Sequence, residues 1–171
     1  AHFWDHIDFT DDRILRSPVF HGKLMQYLNN MTAQMPDSII KEVDYLLGKA
    51  KDTPELFKYM AHSITFKYET SKIMGMDAVF VHMANKVYRS GKCFWLDSAQ
   101  VAKIVDRANI LGPLLIGKKA PNLTLVDTNQ APRSLHLIPS KYTVMIFWDY
   151  DCGHCKKEIP KVLETYHKYK K

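Results

Sequence analysis

The sequence predicts a mostly α, multi-domain chain: an N-terminal five-helix bundle followed by the first part of an α/β domain. Three observations predict it. Apolar residues recur at helical spacing through residues 17–113. The period then changes to short apolar runs separated by turn residues. The last of these runs leads directly into a Cys-x-x-Cys pair and a lysine-studded helix.

Residues 1–16 read as an extended arm whose aromatics, Phe3, Trp4 and Phe9, pack on the helices after it. Ser17-Pro18 caps and opens a first helix with Phe20, Leu24, Tyr27, Leu28 and Met31 on one face. Asp37 is expected to cap a second, carrying Ile39, Ile40, Val43, Leu46 and Leu47, with Gly48 near its end. Thr53-Pro54-Glu55 opens a third, with Leu56, Phe57, Met60, Ile64 and Tyr68 inward. Met76, Phe80, Met83 and Val87 mark a fourth, stopped near Gly91. Asp97 caps a fifth, with Val101, Ile104, Val105, Ala108 and Leu111 inward, ending at Gly112-Pro113. The short connections imply antiparallel neighbours, hence a bundle or a short stack of helical hairpins.

The domain boundary falls near 113–120. Beyond it Leu123–Val126 reads as a strand, Asp127–Pro132 as a turn and Ser134–Leu137 as a second strand. Tyr142–Trp148 is nearly continuous in apolar residues, the pattern of a buried central strand. A helix then runs from Cys152 to about Tyr169.

Composition is that of a soluble globular protein, with 46% hydrophobic and 25% charged residues. No apolar run is long enough to span a membrane. The chain begins AHFWDHIDF, so any export signal or envelope anchor is expected to lie outside it. Of the net charge of +6, the stretch 156–171 alone carries +4. Such a concentration is a solvated helix face, and no nucleic-acid footprint is expected. The acids of residues 5–12 lack the glycine and glutamate of a calcium loop, and no phosphate-binding glycine loop is present. Among apolar neighbours, His62 and His82 read as core or boundary histidines. The eight methionines, mostly at helical spacing, read as core packing.

Three cysteines are too few for a disulfide scaffold. Cys93 stands alone among aromatics and reads as a buried, inert thiol. Cys152 and Cys155 open a helix directly after an apolar run, which suits disulfide exchange. At Cys152 the unpaired N–H groups and positive dipole end of the helix favour a thiolate. Thiols so placed titrate at about 3.5 to 7.5, against about 8.5 for a free one. Cys155, one turn further in, is expected to be more buried and to resolve the mixed disulfide. Gly153 lets the backbone turn, and His154 can stabilise the thiolate. Asp149 and Asp151 oppose this unless Asp151 caps the helix instead. Pro160 removes a donor within the helix and should bend it. A structural disulfide or half of a zinc site are the alternatives, and zinc wants more ligands than this helix offers.

The stretch FWDYDCGHCKKEIP resembles the active-site segment of thioredoxin-like thiol–disulfide oxidoreductases of the bacterial envelope, the TlpA/ResA-like branch. The lead-in IGKKAPNLTLVDTNQAPRSLHLIPSKYTVMIFW resembles that family's entry as well. The resemblance covers about residues 115–171. It implies that 117–171 is the N-terminal part of a thioredoxin-like domain, that Cys152 attacks and Cys155 resolves, and that no cofactor is needed besides a Cys152–Cys155 disulfide. It also implies cysteine-containing partner proteins and a place in the periplasm or envelope of a Gram-negative bacterium. Family members carry further strands and a cis-proline after this helix. The chain, ending at Lys171, is therefore expected to keep the pair but to be weakly active. This sequence has Asp151 where many relatives have Trp, and Gly153-His154 as in protein disulfide isomerases, which argues against a purely reducing role. Residues 1–113 resemble a helical domain of unknown function that precedes thioredoxin-like domains, KYETSKIMGMDAVFVHMANKVY being the best-matching part. One rival reading is a helical protein-binding module with a non-catalytic redox remnant. A related peroxidase ranks lower, because Asp149 stands where those enzymes carry threonine.

Overall fold

The computed structural model describes residues 2–169 and is mostly helical, with six α-helices and one two-stranded sheet. It divides into two compact units, residues 1–121 and 122–171.

In the first unit, α1 (Pro18–Gln26) starts where Ser17-Pro18 indicates: the Ser17 hydroxyl accepts from Val19 N–H. It continues into a π-helical turn, Tyr27–Met31. α2 (Pro36–Lys49) begins two residues earlier than Asp37 as a cap suggests. Met35 precedes Pro36, and Asp37 lies in the first turn, where its charge meets the helix dipole without capping. α3 spans Pro54–Glu69. α4 (Asp77–Met83) passes into a second π-helical turn, Ala84–Tyr88, and Gly91 ends the segment at a φ of +76°. α5 (Ser98–Leu111) has a full capping box: Asp97 accepts from Gln100 N–H, and the Gln100 side chain accepts from Asp97 N–H.

One apolar cluster binds these helices together. Leu24, Leu28, Ile39, Val43, Leu46, Leu56, Met60, Ile64, Phe80, Met83 and Val87 are buried in it. Two expected inward faces are only partly covered. Met31 is exposed at the end of its π turn, and of α5 only Ala108 is fully buried. His62 is exposed rather than a core histidine, whereas His82 is half-buried against Asp44. The N-terminal arm is not extended: its turns lead into a 3-10 helix, Asp12–Arg16. Trp4 and Phe9 pack edge-to-face at 5.6 Å, and Trp4 meets Tyr27 at 5.1 Å.

The second unit opens with an antiparallel hairpin, β1 (Thr124–Val126) and β2 (Pro132–Ser134), registered Thr124 to Ser134 and Val126 to Pro132. The second strand thus lies earlier than Ser134–Leu137. Leu135–Leu137 is instead a 3-10 turn, and the reason is local: the Asn122 carboxamide oxygen accepts from Ser134 Oγ and His136 N–H and curls the chain. Asp127 builds the hairpin turn. Its carboxylate accepts from Asn129 N–H, Ala131 N–H and Arg133 Nε at 2.9–3.0 Å, so its pKa is lowered, chiefly by Ala131. Gln130 takes the left-handed turn position at φ 61°.

The expected central strand is not a strand here. Tyr142–Trp148 is exposed, and among the described residues no backbone ladder pairs it with another segment. Val144, Ile146 and Trp148 line a cavity of about 620 Å³ together with Ile159, Val162, Leu163 and Tyr166 of α6 (Gly153–Tyr169). Side chains two apart share one face of an extended chain, so these three look into the same space while the backbone stays unpaired.

Candidate functional site

The cysteine pair is built by the turn that starts α6. Asp149 makes the turn: its carboxylate accepts Asp151 N–H at 3.0 Å, and its carbonyl accepts Cys152 N–H at 3.2 Å. α6 begins at Gly153, which places Cys152 at the N-cap. The first helical bond runs from Lys156 N–H to Cys152 carbonyl at 3.1 Å. Asp151 is therefore not the cap. It is exposed one residue too early. The sequence signal that finds Asp149 is an aspartate two residues before the next backbone donor, the spacing of an Asx turn.

Cys152 does with sulfur what a capping serine does with oxygen. Its Sγ accepts the N–H of Cys155, the third helical residue, at 3.4 Å. Its thiol pKa is lowered. The largest cause is the hydrogen bond from the Cys155 side chain, followed by the Cys155 backbone N–H; burial opposes these, and the His154 backbone N–H adds to them. His154 thus acts through its main chain. Its exposed imidazole makes no hydrogen bond among the described residues. Both sulfurs are free thiols, and both residues are half-buried. Gly153 is exposed, and a Cβ there would meet nothing within 4 Å. Pro160 lies inside α6, which runs on to Tyr169 past the lost donor. Among the described residues no group of three His, Cys, Asp or Glu is placed to hold a metal.

The third cysteine sits in the other unit. Cys93 is half-buried, and burial pushes its thiol pKa up against the N–H groups of Leu96 and Trp95. The two cysteine environments are therefore of opposite chemical sense: a thiolate is favoured at 152 and disfavoured at 93. No helix among the described residues is long and apolar enough to cross a membrane.

Comparison with known proteins matches this division. Residues 1–111 match the family described as a domain of unknown function (DUF5106), and residues 116–171 match the AhpC/TSA family. Over 55 residues the chain is 38% identical to the thiol-disulfide oxidoreductase ResA of Bacillus anthracis, and equally to that of Bacillus thuringiensis strain Al Hakam. That alignment covers 32% of this chain and 32% of each relative, so the chain spans about a third of the length of these proteins. A crystal structure of a thioredoxin-like protein from Bacteroides caccae ATCC 43185 superposes with a TM-score of 0.65 at 16% identity. It covers 95% of this chain and 58% of that one, and at this identity the likeness is one of fold.

Proposed function

We propose that this chain, which belongs to the DUF5106 family through residues 1–111, is a thiol–disulfide oxidoreductase acting through Cys152 and Cys155 of its second unit. The observation that carries this is the capped sulfur: Cys152 Sγ stands at the mouth of α6, half-exposed, accepting the Cys155 N–H, with its pKa lowered. The family match of residues 116–171 and the identity to ResA support it.

The exchange needs only the two sulfurs. The Cys152 thiolate attacks one sulfur of a substrate disulfide. A Cys152–substrate bond forms, the substrate's own S–S bond breaks, and its other sulfur leaves as a thiolate that takes up a proton. Cys155 loses its proton to solvent and attacks Cys152 Sγ. The Cys152–Cys155 disulfide forms and the second substrate thiolate leaves. Two electrons have passed from the pair to the substrate, and the reverse sequence oxidises a dithiol. A stabilised Cys152 thiolate stabilises the reduced pair and so makes it the more oxidising. Asp151, Gly153 and His154 tune this potential from within the turn that Asp149 sets, Asp151 through its nearby charge and His154 through its backbone N–H, and Pro160 bends the helix behind them. Cysteine-containing proteins are the substrates. Residues 17–113 act as an all-helical bundle that engages a partner, and residues 117–171 carry the redox chemistry. We place the protein in the cell envelope on the strength of the TlpA/ResA-like resemblance.

The test is the pH dependence of alkylation. Iodoacetamide should modify Cys152 in a Cys93→Ser chain that keeps Cys155, followed at Cys152 by peptide mass spectrometry, with a midpoint below that of a free thiol, about 8.5. A midpoint at or above that value overturns the assignment. Cys155→Ser should also accumulate a mixed disulfide with a substrate protein, and Cys152→Ser should not.

A further inference from the structure

The helical unit holds a cavity of about 530 Å³, within the ~300–1,000 Å³ range of small-molecule sites. It lies among the C-terminal end of α2, the first turn of α3, the π turn 84–88 and the loop at 92–94. Leu47 and Val87, both buried, and Phe57 give it an apolar interior, and Phe94 adds an aromatic wall that is 60% exposed. The charge on this lining is lopsided. Lys51, Lys86 and Lys92 face one carboxylate, Asp44.

That carboxylate is already engaged. Asp44 accepts from Lys86 Nζ and His82 Nε2, each at 2.7 Å. Burial raises its pKa, but these two bonds outweigh burial and hold it low, so Asp44 stays ionised and neutralises Lys86. Lys51 has only an exposed contact with Asp52 at 3.8 Å, and Lys92 has no ion pair among the described residues. Two ammonium groups thus remain beside an apolar interior. The first turn of α3 adds to their field. Thr53, its N-cap, spends its hydroxyl on the Phe9 carbonyl at 2.8 Å, which leaves the turn at Pro54 without a side-chain cap. Glu55 in that turn pairs with Lys58.

The π turn shapes the cavity. A turn closed by i→i+5 bonds carries more residues than an α turn, so neighbouring side chains diverge less. Lys86 and Val87, adjacent in sequence, accordingly both line the space. π turns are costly and gather at functional sites.

We propose that this cavity binds a small amphipathic anion, with its apolar body on Leu47, Phe57, Val87 and Phe94 and its carboxylate-type head between Lys51 and Lys92. The site is independent of the cysteine pair. It provides the helical unit with a ligand of its own.

Titration calorimetry of the full chain with decanoate tests it, with decanol and decyltrimethylammonium as neutral and cationic counterparts. Decanoate should bind once per chain, and decyltrimethylammonium should not bind there. Lys51→Ala with Lys92→Ala should weaken decanoate about tenfold or more, as loss of charge-assisted contacts does. Gly48→Leu should abolish binding, because a Cβ at Gly48 meets nothing within 4 Å and the added side chain can enter the cavity. It should leave the fold intact, since leucine is the better helix former. Cys152→Ser, Cys155→Ser should bind as the parent does. No heat with decanoate overturns the proposal. So does equal binding of the cationic counterpart, undiminished binding by the double-lysine variant, or binding that survives Gly48→Leu.

Discussion

The two units put similar side chains to opposite uses. In residues 2–121 a core of large apolar residues goes inside: Phe80, Leu24 and Met60 are 0% exposed. In residues 122–169 they stay out: Val144 and Phe147 are each 83% exposed and Trp148 is 57% exposed. No described residue of the second unit is fully buried. The difference teaches what each kind of element needs. A helix satisfies its backbone from within, so five amphipathic helices can meet and exclude water from one another. An extended segment must borrow its hydrogen bonds from a neighbour, and an apolar sequence does not supply one. The second unit is therefore held by local devices: the Asp127 turn, the Asn122 bridge, and the Asp149 turn with its sulfur cap.

The sharpest way to break this contrast is a matched pair of truncations. Phe80→Ala should cost about 3–5 kcal/mol in chemical denaturation, since it empties a site with no exposed surface. Phe147→Ala should change stability by no more than about 0.5 kcal/mol. Comparable losses from both would mean that the second unit has a core after all.

A smaller effect tests how much a local device contributes inside a packed unit. Asp97→Ala removes half of the capping box of α5 and should cost about 1 kcal/mol, read as a fall in Tm. Restoring the cap with Asp97→Asn should recover most of it.

Smaller still is the pH response of Asp44. Its folded pKa is lowered despite the opposing pull of burial, because Lys86 and His82 donate to it. A depressed carboxylate pKa stabilises the fold above the unfolded value of about 3.9, and that contribution is lost as pH falls through the folded value. The group is partly solvated, so Asp44→Asn should remove no more than about 1 kcal/mol at neutral pH and should flatten the melting curve's dependence on pH only below about 4. A variant that melts like the parent at pH 7 and still differs below pH 4 would place the effect on another carboxylate.

Much of this was legible in the residues. Ser17-Pro18, Pro54, Gly91 and the Asp97–Gln100 pair mark helix ends because capping closes within three or four residues. Cys152 could be placed at a helix mouth for the same reason, although sulfur serving as the cap itself, and Asp149 rather than Asp151 as the turn maker, appear only in the geometry. Asp37 misled because proline at the first helical position outcompeted it for the start of α2.

By itself, then, the sequence determined what closes over a few residues: the helices and most of their ends, the hairpin turn, and a cysteine pair opening the last helix. Tertiary structure alone decided what depends on residues far apart in the chain. His82 and Lys86 converge on Asp44 across some forty positions, the π turn brings Lys86 and Val87 into one cavity, and Tyr142–Trp148 is left without a strand beside it. The physical reason is that a cap or a helical bond finds its partner in neighbouring residues, while burial and strand pairing depend on which distant surface arrives to exclude the water.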